Sequence, residues 1–177
     1  MQAPEVLETA RLRLRAPQLE DAKVIFDSYA QDPVVTRYLV WPPHQSVETT
    51  ETFIAHCIDQ RANASAFSYV ITRKADAQLL GMIDLRSDRH GANIGYVLAK
   101  EYWRQGIMTE AARCTIEYAL AQPVIYRVQA FCDVDNIASA RTLEKVGMRR
   151  EGTLRRYIIH PAVSNEPRDC YLYAITR

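Results

Sequence analysis

Gly95-Tyr96-Val97-Leu98, followed after three residues by Tyr102-Trp103-Arg104-Gln105-Gly106-Ile107-Met108-Thr109-Glu110-Ala111, reads as the end of a strand, a short turn with glycine at its tip, and the start of a helix. The first N–H groups of a helix have no partner inside it and point toward any anion placed there, with the helix dipole adding attraction. Gly106 lets a diphosphate approach the backbone closely, and Arg104 can add a charge-assisted contact. An ordinary strand-to-helix turn has the same ingredients, so the pattern by itself defines a potential phosphate site and no more. It is neither a Walker loop nor a GxGxxG dinucleotide fingerprint.

Working upstream, Ala92 to Leu98 is a strand preceded by the polar loop Ser87 to Gly91. Phe67 to Thr72 and Gln78 to Leu85 are rich in β-branched and aromatic residues, and Lys74 to Ala77 suits a hairpin turn between them, which makes an antiparallel meander. Nearer the start, Leu12 and Leu14 alternate with arginines as a short strand. Pro17 then opens a helix carrying Leu19, Ala22, Ile25, Phe26 and Tyr29, and Asp32-Pro33 ends it. Trp41-Pro42-Pro43-His44 forms a stiff loop before Ser46, the cap of a second helix with Phe53, Ile54, Cys57 and Ile58.

Working downstream, Thr109 to Ala121 places Ala112, Ile116, Ala119 and Leu120 on one helical face with Met108, and Pro123 marks its end. Arg127 to Cys132 alternates as a strand. Asn136 caps a helix with Ile137, Ala140, Leu143 and Val146, which Gly147 stops. Thr153 to Ile159 and Asp169 to Ile175 are two further strands around a Pro161 to Pro167 loop. The order β, α, α, β, β, β, α, β, α, β, β mixes a meander with β-α-β crossovers and narrows the fold to α+β or mixed α/β.

The 177 residues, 48% of them hydrophobic, fit one domain over positions 1–177 with a core of useful size. Its 22 basic and 21 acidic residues leave a net charge of +1, which excludes the broad positive field of a direct nucleic-acid binder, though not a local basic patch. Cys57, Cys114, Cys132 and Cys170 form no CxxC pair, so they read as reduced, mostly core thiols and no metal is expected. Met1 to Arg15 has no apolar run ahead of Arg11, Arg13 and Arg15. Neither a secretory signal nor a membrane span is expected, and the expected compartment is the cytoplasm.

Two segments carry a family resemblance. Tyr102 to Ala111 is similar to the Tyr-Trp-x-x-Gly-x-x-x-Glu-Ala form of an acetyl-coenzyme A loop. Asn136-x-x-Ser139-x-Arg141-x-x-Glu144-Lys145-x-Gly147-Met148 is close to a second motif of the same enzymes, the GNAT N-acetyltransferases, and in particular their RimJ/RimL-like branch, which acetylates protein N-termini. The opening Glu8-Thr-Ala-Arg11-Leu12-Arg13-Leu14-Arg15, then Leu80-Gly81-Met-Ile83, Gly152 and Asp169 extend the likeness from about Leu7 to Ile175. It departs from the wider family at Trp103 and Met108, where Gln or Arg and Gly or Ala are usual. Asn93 stands where many relatives carry a glutamate thought to act as general base.

The resemblance implies a GNAT fold: a central, mixed, mostly antiparallel twisted sheet of about seven strands flanked by about four helices, with a splayed parallel pair, here Ile94 to Leu98 and Val128 to Cys132. It implies acetyl-CoA as cosubstrate, held by Val97, Leu98, Arg104, Gln105, Gly106, Ile107, Met108, Thr109 and Asn136. Ser139 matches a serine proposed to protonate the departing thiolate, with Asn136 beside it in the catalytic set to orient the cofactor or substrate, and as a first-turn residue Ser139 could equally serve helix capping. Asp84, Glu166 and Asp169 are potential proton relays or plain surface acids. Trp41 and His44 would line the substrate end, and Tyr157 could point toward the sulfur. Arg149, Arg150, Arg155 and Arg156 read as an exposed face balanced by Glu144 and Glu151, or as an attractor of an acidic partner surface or of the cofactor's 3′-phosphate. The implied acceptor is a protein or peptide N-terminus such as that of a ribosomal protein. A small amine (antibiotic, polyamine or amino acid) is the second reading, and a coenzyme A-binding module without catalysis the third. A homodimer would be in keeping with the family.

Overall fold

Leu12 and Leu14 are fully buried while Arg13 between them is exposed, so the alternation at the front of the chain is that of a strand with one face on a core. The computed structural model describes residues 3–177; Met1 and Gln2, part of the segment read for a secretory signal, lie outside the described residues. The elements are β1 (Val6–Glu8), β2 (Leu12–Arg15), α1 (Asp21–Ile25), α2 (Val47–Ala62), β3 (Phe67–Arg73), β4 (Leu79–Asp88), β5 (Gly91–Leu98), α3 (Ile107–Ala121), β6 (Arg127–Asp133), α4 (Ile137–Lys145), β7 (Arg149–Ile158) and β8 (Arg168–Thr176). They build one eight-stranded sheet in the order β1-β2-β3-β4-β5-β6-β8-β7. Every neighbouring pair is antiparallel except β5 and β6.

Two apolar layers cover the sheet. On one face Ile83, Leu85, Ile94, Val128 and Ala130 pack against Ile107, Met108, Ala112 and Ile116 of α3 and Leu143 of α4. On the other, Val70 and Met82 pack against Ala22, Ile25 and Tyr29 near the N-terminus and Ile54 and Cys57 of α2. Along β5, Ala92, Ile94, Tyr96 and Leu98 belong to the α3/α4 layer and Val97 to the other. The period of two therefore turns Asn93, Gly95 and Val97 toward α1 and α2.

The structure adds β1, which makes the strand count eight where about seven were expected. The first helix begins at Asp21 rather than Pro17, because the Asp21 carboxylate accepts from Gln18 N (2.8 Å) and Arg15 Nη1 (2.8 Å) and holds residues 18–20 as a turn. It runs on into a π-helical turn, Phe26–Ala30. The loop expected over Ser87 to Gly91 shrinks, since β4 and β5 stay paired out to Asp88 and Gly91. β7 starts at Arg149 instead of Thr153, paired with Ala174 of β8. No helix among the described residues is long and apolar enough to cross a membrane.

Candidate active site

β5 and β6 are paired over only three positions, Gly91 with Arg127, Ala92 with Val128 and Asn93 with Gln129. Beyond them β5 stays bonded to β4 as far as Leu98, and β6 to β8 as far as Asp133. The inner edges therefore part from Ile94 and Ala130 onward and leave a wedge in the middle of the sheet. Parallel strands otherwise pair along their length, so the parting strands main-chain donors and acceptors that a bound molecule can take up.

The turn after β5 closes one end of the wedge. Trp103 Nε1 donates to Leu98 O at 2.7 Å and ties the turn to the strand end. This gives a structural reason for tryptophan at a position where glutamine or arginine was the family expectation. Arg104 (φ 62°) and Gly106 (φ 74°) are both left-handed, and Gly106 is the N-cap of α3 with no side-chain cap bond. By contrast, Ser46 caps α2 and Asn136 caps α4 with their side chains. The N–H groups of Ile107, Met108 and Thr109 are thus free of intrahelical acceptors, in a turn that suits an anion. Ile107 and Met108 are buried and anchor this helix start.

A clamp from the β1–β2 turn braces it: Glu110 accepts from Thr9 Oγ1 (2.6 Å), Arg11 N (3.0 Å) and Arg11 Nε (2.6 Å). Burial alone would push the Glu110 carboxyl up, but these donors outweigh it and hold it below its ordinary value. Arg11 Nη1 also reaches Gln105 O at 3.3 Å. Val97, Leu98 and the run from Arg104 to Thr109 thus meet at one end of the wedge. Glu110, the carboxylate that follows this run, is occupied by its own partners and does not oppose an anion placed on the turn.

On the α3/α4 face, Asn136 Oδ1 accepts from Ser139 N at 3.1 Å. Asn136 is therefore the cap and leaves the Ser139 hydroxyl available. That hydroxyl lies 2.9 Å from Tyr96 Oη, which also approaches Ser139 O at 3.3 Å. Burial pushes the Tyr96 phenol far above its ordinary value, so it stays a neutral donor. Cys132 beside them is raised by burial to about 11 and stays a thiol. Tyr96 was passed over in the sequence, although its place next to Gly95 and the period of two put it on the same face as α4.

Asp133 holds the start of α4 in place. Its buried carboxylate accepts from Arg168 Nε (2.6 Å), Arg168 Nη2 (3.1 Å) and Asp135 N (2.9 Å), while its carbonyl accepts from Asn136 N (2.9 Å). Burial would raise this carboxyl, but Arg168 and the Asp135 N–H hold it below the usual range. His160 stands 3.7 Å away through Nε2, with Nδ1 3.3 Å from Leu39 O.

Asp84 faces the other way, toward α2. Its Oδ1 accepts from Ser68 Oγ (2.8 Å) and its Oδ2 pairs with Arg86 Nε (2.7 Å). Asn93 Oδ1 accepts from Gln129 Nε2 at 2.9 Å, at the vertex of the wedge. Trp41 stacks near His44 (4.7 Å between centroids) and Phe53 (6.1 Å). His44 is buried: its Nδ1 lies 2.8 Å from Thr50 Oγ1, its N donates to Ala30 O, and desolvation pushes the imidazole below its ordinary value.

Tyr157 packs edge-on against Phe131 at 5.0 Å and shares the Asp84 side of the sheet, away from Ser139. The structure thus separates Asp84 and Tyr157 from Ser139 by the thickness of the sheet edge. Asp169 accepts from Arg156 N at 2.9 Å and Glu166 pairs with Arg156 at 3.5 Å, which ties both to the β7–β8 end. The arginine run is not balanced as expected. Glu151 pairs with Arg127 and Glu144 accepts from Tyr173 Oη (2.9 Å), while Arg150 lies over the Tyr171 ring at 4.6 Å.

Residues 11–149 match the family described as acetyltransferase (GNAT) domain. Over 175 residues the chain is 31% identical to the uncharacterized N-acetyltransferase YoaA of Bacillus subtilis, covering 97% of each chain. An acetyltransferase (GNAT family) structure from Bacillus anthracis superposes with a TM-score of 0.84 at 28% identity, covering 97% of this chain and 98% of the other. RimL, described as a ribosomal L7/L12 alpha-N-protein acetyltransferase in complex with coenzyme A, shares the fold with a TM-score of 0.86 at 21% identity, over 97% of this chain and 98% of its own. The chain is therefore a member of the GNAT family of N-acetyltransferases.

Proposed function

We propose that the wedge between β5 and β6 holds acetyl-CoA, with its diphosphate on the turn from Arg104 to Thr109, and that the chain passes the acetyl group to the α-amine at the N-terminus of a protein or peptide. The parting of the two strands directly beside an uncapped helix start is the observation that carries this reading. When bound, acetyl-CoA supplies an activated thioester.

The residues of the chain then do the rest. Main-chain groups at Val97 and Leu98 orient the pantetheine arm and favour the charge that grows on the carbonyl oxygen. The amine forms the new C–N bond and loses a proton to solvent or to Asp84, while the C–S bond breaks and its electron pair leaves on sulfur. A serine hydroxyl is a poorer acid than a thiol, whose ordinary value is about 8.5. Ser139, aimed by Tyr96, therefore steadies the thiolate as a hydrogen-bond donor, and the proton released by the amine balances the thiolate through the solvent.

Asn93 supports an α-amine as acceptor. An amide cannot take a proton, and its oxygen is already engaged by Gln129. Without a glutamate there, an amine titrating near about 7.7–8.0 is better suited than an alkylamine near about 10.4, because more of it is neutral at pH 7. The second reading, a small amine, draws on a 25% identity over 166 residues to a protein named spermidine N(1)-acetyltransferase in Escherichia coli, covering 90% of this chain. Turnover of acetyl-CoA against N-terminal peptides and against spermidine tests the two. Peptide turnover with a rate that levels off near pH 8 is expected, and turnover of spermidine alone would remove the α-amine reading.

A further inference from the structure

Two glycines of the central strands stand in opposite situations. A Cβ at Gly81 would meet Val97 O at 2.2 Å, so the close approach of β5 explains it. At Gly95 a Cβ would meet nothing within 4 Å, and its φ lies outside the left-handed region. Neither packing nor backbone conformation calls for glycine there, and glycine within a strand costs roughly 0.5–1 kcal/mol against alanine. Gly95 is nonetheless exposed in the middle of β5, an interior strand with helices over both faces of the sheet. A glycine inside a strand marks a bulge, a tight bend, or the close approach of a ligand or of another backbone; β5 keeps an unshifted register with β4 through Gly95, and no other backbone among the described residues approaches it.

The surroundings of the open space have a definite chemistry. Asn93 and Val97 stand on the same face, each about 6.6 Å along the strand, so the slot is one side chain long. Asp84 is the register partner of Gly95, on the same face of the sheet. Its side chain is 22% exposed, and with one donor on each oxygen it keeps acceptor capacity for an incoming N–H. On the other side β6 has parted, and the next wall is the aromatic pair Phe131 and Tyr157. One acidic wall, one aromatic wall and a bare floor fit a single extended chain that brings an amine to the wedge.

We propose that Gly95 determines acceptor specificity: the slot over it takes the amino terminus of an extended peptide whose first side chain is small, with the amine beside Asp84. This rests on the reading of the wedge as the acetyl-CoA site. A larger first side chain competes for the volume that glycine leaves free. A methyl group added to the floor narrows the slot without touching the protein, which separates an effect on the acceptor from an effect on folding.

The test uses the full chain as wild type, Gly95→Ala, Gly95→Val and Asp84→Asn, with hexapeptides that differ only in a first residue of Ser or Phe, and with spermidine. Coenzyme A release gives kcat and KM, calorimetry gives acetyl-CoA affinity, and thermal melting reports folding. The seryl peptide is expected to exceed the phenylalanyl one in kcat/KM by about tenfold or more. Gly95→Ala should raise the seryl-peptide KM by a similar factor, Asp84→Asn should raise it as well, and Gly95→Val should abolish turnover. All three should bind acetyl-CoA and melt as the wild type does. The proposal is overturned by an unchanged KM in Gly95→Ala, by a loss of acetyl-CoA affinity in the glycine variants, by equal use of both peptides, or by a wild type that binds acetyl-CoA and acetylates no peptide. Failure of the wild type to bind acetyl-CoA would instead remove the reading of the wedge itself.

Discussion

The hydroxyls of Tyr96 and Ser139 lie 2.9 Å apart, one on β5 at the edge of the wedge and the other in the first turn of α4. Asn136 caps that helix through its own side chain, so the Ser139 hydroxyl is not taken up by capping and pairs instead with the neutral phenol of Tyr96. The pair joins the strand that would carry the thioester to the helix that would meet the leaving sulfur.

Tyr96→Phe removes this hydroxyl while keeping the ring that packs against the α3/α4 layer. A neutral hydrogen bond is worth about 1 kcal/mol, so kcat should fall roughly five- to tenfold with acetyl-CoA affinity unchanged. Ser139→Ala should lower kcat further. Because the two residues act as a unit, the double variant should be no slower than Ser139→Ala alone. Steady-state kinetics of all three, with calorimetric affinities, checks this.

Arg168 and Asp133 give a prediction for stability and its pH dependence. The folded-state Asp133 carboxyl is held below its ordinary value, so its ionised form stabilises the fold above the unfolded value of about 3.9. That contribution is lost as the pH falls through the lower, folded-state value. Arg168→Met leaves the buried carboxylate without its main partner. The expected cost at pH 7 is about 3 kcal/mol, the low end for a broken buried pair, because the Arg168 side chain remains 26% exposed. Urea denaturation should show the deficit shrinking as the pH falls below about 4 and vanishing only below the lowered wild-type value, where Asp133 is protonated in both folded proteins. Since Asp133 fixes the start of α4, kcat should fall with stability.

Gly106 has φ 74°, which a β-branched residue adopts only under strain. Gly106→Val should cost about 1–2 kcal/mol of local strain and shift the N–H groups that begin α3. Acetyl-CoA affinity should drop at least about tenfold, whereas melting temperature changes by only a few degrees. Parallel calorimetry and thermal melts separate the two effects.

Much of this arrangement could be read from the chain. The α4 cap at Asn136, the α2 cap at Ser46 and the turn through Gly106 depend on local chemistry, and each stands where the residues placed it. The start of β7 at Arg149 was hidden because an arginine-rich edge strand exposed on both faces has no apolar alternation to betray it. The first turn of α1 was misplaced because the Asp21 carboxylate draws residues 18–20 into a turn, a side-chain effect that periodicity does not register. The Tyr96–Ser139 contact joins residues 43 apart in sequence, and the open space at Gly95 is defined by what is absent around it. Neither leaves a trace in spacing. The departure at Asn93 was visible from the outset, and its engagement with Gln129 supplies the physical sense of it.

The most direct test of the account is a calorimetric titration of the full chain with acetyl-CoA, repeated with Gly106→Val. The account predicts saturable binding of one molecule per chain, in the micromolar range of about −8 kcal/mol, weakened at least about tenfold in the variant. No saturable binding at millimolar acetyl-CoA, or equal affinity in both proteins, would contradict it.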